Sequence, residues 1–278
     1  MKLFLTTQGI YLLNNSKSYL LANTDFDSLL NREDLMAYLL EYCSKNSEAE
    51  IEEEDLCKIA LAPLQSQEVW AAGVTYYRSK KARMEESKES GGSTFYDKIY
   101  DAARPELFFK SAASRVRGTK QSVRIRKDST WSVPEPELTL LISSSKKIIG
   151  YTIGNDMSAR DIEGENPLYL PQAKSYTGSA ALGPCVLILD HPINPQNKIE
   201  IEVHRNNQIV FEGQTLISEI KRSFDELVNY LFLEMDFPQG CYLMTGTGIV
   251  PEDSFSIQKQ DAIRITIEGI GTLENWVE

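Results

Sequence analysis

Residues 129–156 read STWSVPEPELTLLISSSKKIIGYTIGND. Within them ELTLLIS and KIIGYTIGND are short β-rich runs bounded by Pro, Gly, Asn or Asp, the pattern of strands. Glu135 and Glu137 stand at the entry to the first run, interleaved with Pro134 and Pro136. On a strand, residues i and i+2 point to the same face about 7 Å apart along the chain, so the two carboxylates share a face. Like charges that close repel unless a proton or a cation lies between them. The second run ends at Asn155 and Asp156, and strand ends are where a scaffold presents functional groups. Three such carboxylates make an oxygen set for a hard divalent cation, with positions left for water or substrate. Spacing alone also allows three ordinary surface acids, since the chain has 40 Asp and Glu.

Similar runs recur on both sides of this stretch. EVWAAGVTY, SVRIRK, CVLILD, KIEIEVHRN, QIVFEG and DAIRITIEGIG all read as strands, so from about residue 66 the chain is strand-dominated. One helix interrupts it: residues 218–235, SEIKRSFDELVNYLFLEM, carry an apolar stripe of Ile220, Phe224, Leu227, Val228 and Leu231. Before residue 66, KLFLTT, GIYLLNN and SYLLAN read as strands. FDSLLNREDLMAYLLEYC (26–43) has helical spacing, with Asn23 and Asp25 as caps. The acidic run SEAEIEEED (47–55) reads as a solvated connection or a helix start. The expected fold is α+β and strand-dominated, with a small N-terminal α+β domain over 1–65 and a larger domain over 66–278.

Composition narrows the partners. With 278 residues and 42% hydrophobic content the chain supports a large core, and a formal net charge of -11 argues against nucleic acid or an anionic membrane surface. Small molecules and cations remain. Cys43, Cys57, Cys185 and Cys241 show no CxxC spacing, so reduced thiols are expected rather than a zinc site or a disulfide framework. MKLFLTTQG is too short an apolar run for a signal peptide and no later segment approaches a membrane span, which reads as cytoplasmic. The basic stretch SRVRGTKQSVRIRK alternates with apolar residues as an exposed strand does.

Several ordered stretches, VWAAGVTYYRS, RPELFFK, VPEPEL, GYTIGNDMSARDIEGENP, LPQAKSYTGSAALGP and MTGTGIVP, together resemble the fumarylacetoacetate hydrolase family from about residue 66 to the C-terminus. The resemblance implies a mixed β-sheet roll with the active site at its mouth. It also implies a divalent ion, usually magnesium with manganese or calcium as alternatives, held by Glu135, Glu137 and Asp156. The family's carbon–carbon hydrolases carry a His-Glu dyad in a GxNYxxHxxE segment. Here the corresponding GVTYYRSKKARMEE has Ser79 and Ala82 at those two positions, and His191 and His204 read as turn or strand-surface residues. Hydrolysis by a histidine-activated water therefore lacks its base, while the metal set is kept.

That combination is similar to one branch of the family, the 2-keto-3-deoxy-D-arabinonate dehydratases, through GVTY, PELFFK, EPEL, ENPLYLPQAK and the small N-terminal domain. The resemblance implies loss of water from a small 2-keto-3-deoxy sugar acid, giving 2,5-dioxopentanoate from a five-carbon substrate, in a homodimer or homotetramer. By position in the matching motifs, Lys174 and Glu106 form the acid/base pair, Thr247 stands at the substrate, and Glu163, where many of the hydrolases have glutamine, binds the substrate at a sugar hydroxyl. Residues 82–102 read as a lid. Acylpyruvate hydrolysis and β-keto-acid decarboxylation share the same metal chemistry, and a cation-stabilised binding module is the alternative outside enzymes.

Overall fold

A computed structural model describes residues 1–76 and 100–278. Its centre is the pair of strands β8 (Ser132–Ile142) and β9 (Ile148–Ala159), antiparallel neighbours in which Glu135 stands directly opposite Asp156 and Glu137 opposite Gly154. Every residue of β8 is buried. The two prolines are accommodated by the ladder. Leu138 O accepts from Thr245 N, so even-numbered residues of β8 turn their backbone groups away from β9. Pro134 and Pro136 lie on that edge beyond the end of β13 (Cys241–Met244), which pairs only with residues 139–142. No ladder donor is needed there, which suits residues that lack an N–H.

Among the described residues fifteen strands form two sheets. The larger runs β3 (Lys17–Leu21), β2 (Gly9–Asn14), β1 (Lys2–Thr6), β10 (Ala180–Leu187), β9, β8, β13, β4 (Glu68–Gly73), β5 (Glu106–Ser111). The short β6 (Val116–Arg117) pairs parallel to β10. The smaller sheet runs β12 (Gln208–Leu216), β11 (Lys198–Arg205), β14 (Ala262–Ile267), β15 (Gly271–Val277), β7 (Gln121–Val123). Both are mixed: β13 with β4 and β15 with β7 are parallel. The N-terminal strands extend the larger sheet, since Lys2 and Leu3 pair with Leu187 and Val186.

Alternation along β8 and β9 separates two cores. Leu138, Leu140, Ile142 and Ile153 face the smaller sheet, packing with Ile199, Ile201, Ile263 and Ile265. Leu141 lies on the opposite face, in a cluster with Leu182, Val186, Tyr242 and Met244 and, from the N-terminal part, Leu3, Ile10 and Leu12. Glu135 and Glu137 share the parity of Leu141, so the carboxylates lie at one end of this second face.

The helices are shorter than the periodicity predicts. Residues 26–43 form two, α1 (Phe26–Leu30) and α2 (Leu35–Lys45), because the Asn31 N–H closes the first by donating to Asp27 O and Leu29 O. Asp25 caps α1 by accepting from Ser28 N, whereas Asn23 takes a left-handed turn conformation with φ 53°. The acidic run leads into α3 (Glu53–Ile59), with Glu53, Glu54 and Asp55 in its first turn, where a helix favours negative charge. After β9 come α4 (Arg160–Glu165) and α5 (Leu170–Lys174). The helix expected over 218–235 is confined to α6 (Phe224–Leu231), started by the Ser223 side chain accepting from Glu226 N. The basic stretch forms strand only at β6 and β7. No helix among the described residues is long and apolar enough to cross a membrane.

Candidate active site

Glu135, Glu137 and Asp156 are buried, and one carboxylate oxygen of each lies within 4.8 Å of the others. The ladder brings this about. Glu135 and Glu137 are two residues apart on β8, and Asp156 stands opposite the first on β9. Gly154, opposite the second, keeps the space clear: a Cβ there would lie 2.4 Å from Thr139 Oγ1 and 3.1 Å from Met244 Cε. Glu137 also accepts from the Gly246 N–H at 2.6 Å. Gly246 has φ +91°, and a Cβ would lie 2.0 Å from Thr75 Oγ1, so only glycine brings this backbone donor to the carboxylate.

Cations surround the triad. Lys174, at the end of α5, places its Nζ against Glu135 Oε2, 3.3 Å from Asp156 Oδ2 and 4.0 Å from Glu163 Oε1. Arg160 reaches Glu135 at 3.0 Å and Glu163 at 3.7 Å. Lys110, at the end of β5, pairs with Asp156 Oδ1. Burial holds the Glu137 carboxyl well above the usual glutamate range, with the negative charges of Asp156 and Glu135 adding to it. Burial also lowers the Lys110 ammonium, which Asp156 opposes.

These contacts test a metal against the donor set. Four buried carboxylates (Glu135, Glu137, Asp156, Glu163) meet three buried cations (Lys110, Arg160, Lys174), a net charge of one minus when all are ionised. A dication and the carboxylate of one acidic substrate bring that sum to zero. Carboxylate oxygens are hard donors, suited to magnesium, manganese or calcium rather than to soft metals. Glu135, Glu137 and Asp156 fit such an ion.

The pocket above the triad has a cavity volume of about 20 Å³ and is lined by Glu135, Glu137, Asp156, Lys174, Thr247 and an apolar wall that includes Phe108 and Val250. Glu106 approaches from β5. It pairs with Gly73, and a Cβ on Gly73 would lie 2.6 Å from its carboxylate carbon. Since Gly73 lines the pocket, the missing side chain is what gives the Glu106 carboxylate its place behind that wall. Thr247 is held by the Ile249 N–H donating to its Oγ1 at 3.1 Å. Glu163 does not line the pocket. It lies beneath Arg160 and Lys174 and accepts from the Ser158 hydroxyl at 3.0 Å. Ser79, Ala82 and residues 82–99 of the expected lid lie outside the described residues. Lys110 and Arg160 are the site residues that sequence reasoning missed. In the sequence each is only a cation at or just past the end of a strand, FFK in one case and MSAR in the other, with no local mark of a carboxylate partner.

Residues 69–278 match the fumarylacetoacetate (FAA) hydrolase C-terminal family. The chain belongs to the fumarylacetoacetate hydrolase family. Among curated members it is 45% identical over 219 residues to a probable 2-keto-3-deoxyxylonate dehydratase of Haloferax volcanii, covering 78% of this chain and 74% of that one. It is 41% identical over 213 residues to the 2-dehydro-3-deoxy-D-arabinonate dehydratase of Saccharolobus solfataricus, covering 76% and 72%. Among solved family structures, a 2-keto-3-deoxy-D-arabinonate dehydratase complexed with magnesium and 2,5-dioxopentanoate superposes with a TM-score of 0.84 at 34% identity, covering 100% of this chain and 99% of that one. A fumarylacetoacetate hydrolase from Exiguobacterium antarcticum shares the fold at 22% identity, with a TM-score of 0.71.

Proposed function

We propose that this protein is a magnesium-dependent hydro-lyase that removes water from a 2-keto-3-deoxy sugar acid, with 2-keto-3-deoxy-D-arabinonate giving 2,5-dioxopentanoate as the leading case. The observation that carries this is the buried ammonium of Lys174 set against two carboxylates of a metal-fitting triad, at the wall of a pocket. Manganese or calcium meets the same donor set. A bound dication supplies Lewis acidity that makes C3–H of a 2-keto acid easier to ionise.

The chain's own groups do the rest. Elimination takes a proton from C3 and delivers one to the hydroxyl leaving C4, so that water departs and a C3–C4 double bond forms. For a five-carbon acid, moving one C5–H proton to C3 and the C5 hydroxyl proton to C4 converts that alkene to the 2,5-dioxo product. Lys174 Nζ and the Glu106 carboxylate are the acid/base pair, each needing hydrogen-bond reach to its proton. Thr247, which lines the same pocket, offers its hydroxyl to the substrate. Glu163 holds Lys174 and Arg160 from below, and through them sets where a substrate hydroxyl is met. Residues 66–278 carry this chemistry, with 1–65 as a small α+β domain. The protein works in the cytoplasm as a homodimer or homotetramer.

A panel of keto acids incubated with magnesium and read by mass spectrometry tests the reaction. The expected result is loss of water from 2-keto-3-deoxy pentonates with little cleavage of acylpyruvates and no release of carbon dioxide. Rapid acylpyruvate cleavage with the sugar acids untouched overturns the proposal.

A further inference from the structure

Lys110 is fully buried at the end of β5 and is not among the residues lining the pocket. Its Nζ pairs with Asp156 Oδ1 and donates to Met157 O at 2.9 Å and to Lys174 O at 2.5 Å. An ammonium has three N–H bonds. Here three oxygens surround it, from two segments of chain. Two belong to β9, the strand that carries Asp156. The third belongs to the last residue of α5, where a helical carbonyl has no partner within the helix. Two other carbonyls at that end are also taken: Pro171 O by Ser175 N–H at 2.9 Å and Gln172 O by Arg126 at 3.0 Å. The end of α5 is thus tied to β9 through one buried nitrogen. Lys174, whose backbone is tied, sends its side chain back to Glu135 and Asp156.

We propose that Lys110 is a positioning residue for the reaction: its buried ammonium clamps the Asp156 carboxylate and the main chain of Lys174 at one separation, without touching substrate. This rests on the dehydratase reading for the role of Lys174, but the clamp itself is a statement about Asp156 and α5.

Geometry and charge make different demands, which two variants separate. Lys110→Met removes both the clamp and a positive charge that competes with a dication, so magnesium binds the triad as tightly as before or more tightly. Lys110→Arg keeps the charge, but a planar guanidinium cannot converge three donors on the place of one nitrogen. Both variants are expected to lose about a hundredfold in kcat, with KM for the keto acid changed by less than about threefold, as for a misplaced catalytic group. Calorimetry with magnesium alone is expected to show no weakening in Lys110→Met. A wild-type kcat in Lys110→Arg overturns the proposal, as does parallel loss of magnesium binding and kcat in Lys110→Met. If the wild-type enzyme dehydrates no sugar acid, the dehydratase reading falls, and a crystal structure of Lys110→Met with magnesium still decides the clamp: an Asp156 carboxylate and a Lys174 main chain unmoved from the wild type overturn it. Should neither variant fold, a crystal structure of the wild type with magnesium decides, and a Lys110 Nζ out of hydrogen-bond reach of Lys174 O overturns it.

Discussion

Lys174 Nζ meets Glu135 and Asp156 with 1% of the residue exposed, so no water stands ready to replace those partners. Lys174→Met is expected to lower turnover by about a hundred- to ten-thousandfold, the usual cost of one acid/base group. Magnesium binding by calorimetry should persist, because Glu135, Glu137 and Asp156 remain. Loss of metal binding together with turnover would mean that Lys174 mainly shapes the triad. Lys174 was legible in the sequence because it lies in a motif. Lys110 and Arg160 were not. Each is a cation next to apolar residues, and nothing local distinguishes an ammonium that ends in water from one that ends on a carboxylate 46 residues away, as between Lys110 and Asp156. Glycines are similar: the need for Gly154 and Gly246 comes from Thr139, Met244 and Thr75, which only the fold brings against them.

At the scale of elements, strands were read better than helices. The buried runs of β8, β9 and the second half of β10 are apolar enough to identify themselves, although the short β13 was not read as a strand, whereas a helix ends wherever a cap offers its backbone another partner. Ser223 starts α6 although the apolar spacing begins earlier, and Arg222 just before it is drawn off to Glu226 and to Ala102 O. The stripe itself is real where the helix exists: Leu227 and Leu231 are fully buried and Val228 nearly so. Leu227→Ala should therefore destabilise the protein by about 2–5 kcal/mol, the range for emptying a buried leucine site. Denaturant unfolding checks this, and a change under about 1 kcal/mol would show that the core collapses into the space.

At the scale of the whole molecule, the chain carries a net charge of -11, and three of its carboxylates are buried together where a cation relieves them. Burial and the charges of Asp156 and Glu135 raise Glu137 above its unfolded value. In metal-free protein that contribution to stability is present below the ordinary glutamate range and is lost as pH rises through the raised value. Magnesium requires the ionised carboxylate, so its stabilisation grows over the same interval. The difference in Tm between magnesium-loaded and chelator-treated protein should thus widen as pH rises from mildly acidic to mildly alkaline. A difference that is constant or narrows with pH would count against the triad as the metal site.

The sequence by itself determined the strand-dominated α+β class and the shared face of Glu135 and Glu137, because strand periodicity is a property of neighbouring residues. It also carried the family, through motifs in order along about two hundred residues. Only the tertiary structure decided that Asp156 stands opposite Glu135, that Glu106 reaches the pocket wall across Gly73, that Glu163 lies beneath Lys174, and that Lys110 joins β9 to α5. Register, burial and the place where a long side chain ends depend on residues distant in the chain, and those distances close only when the two faces of β8 and β9 are packed.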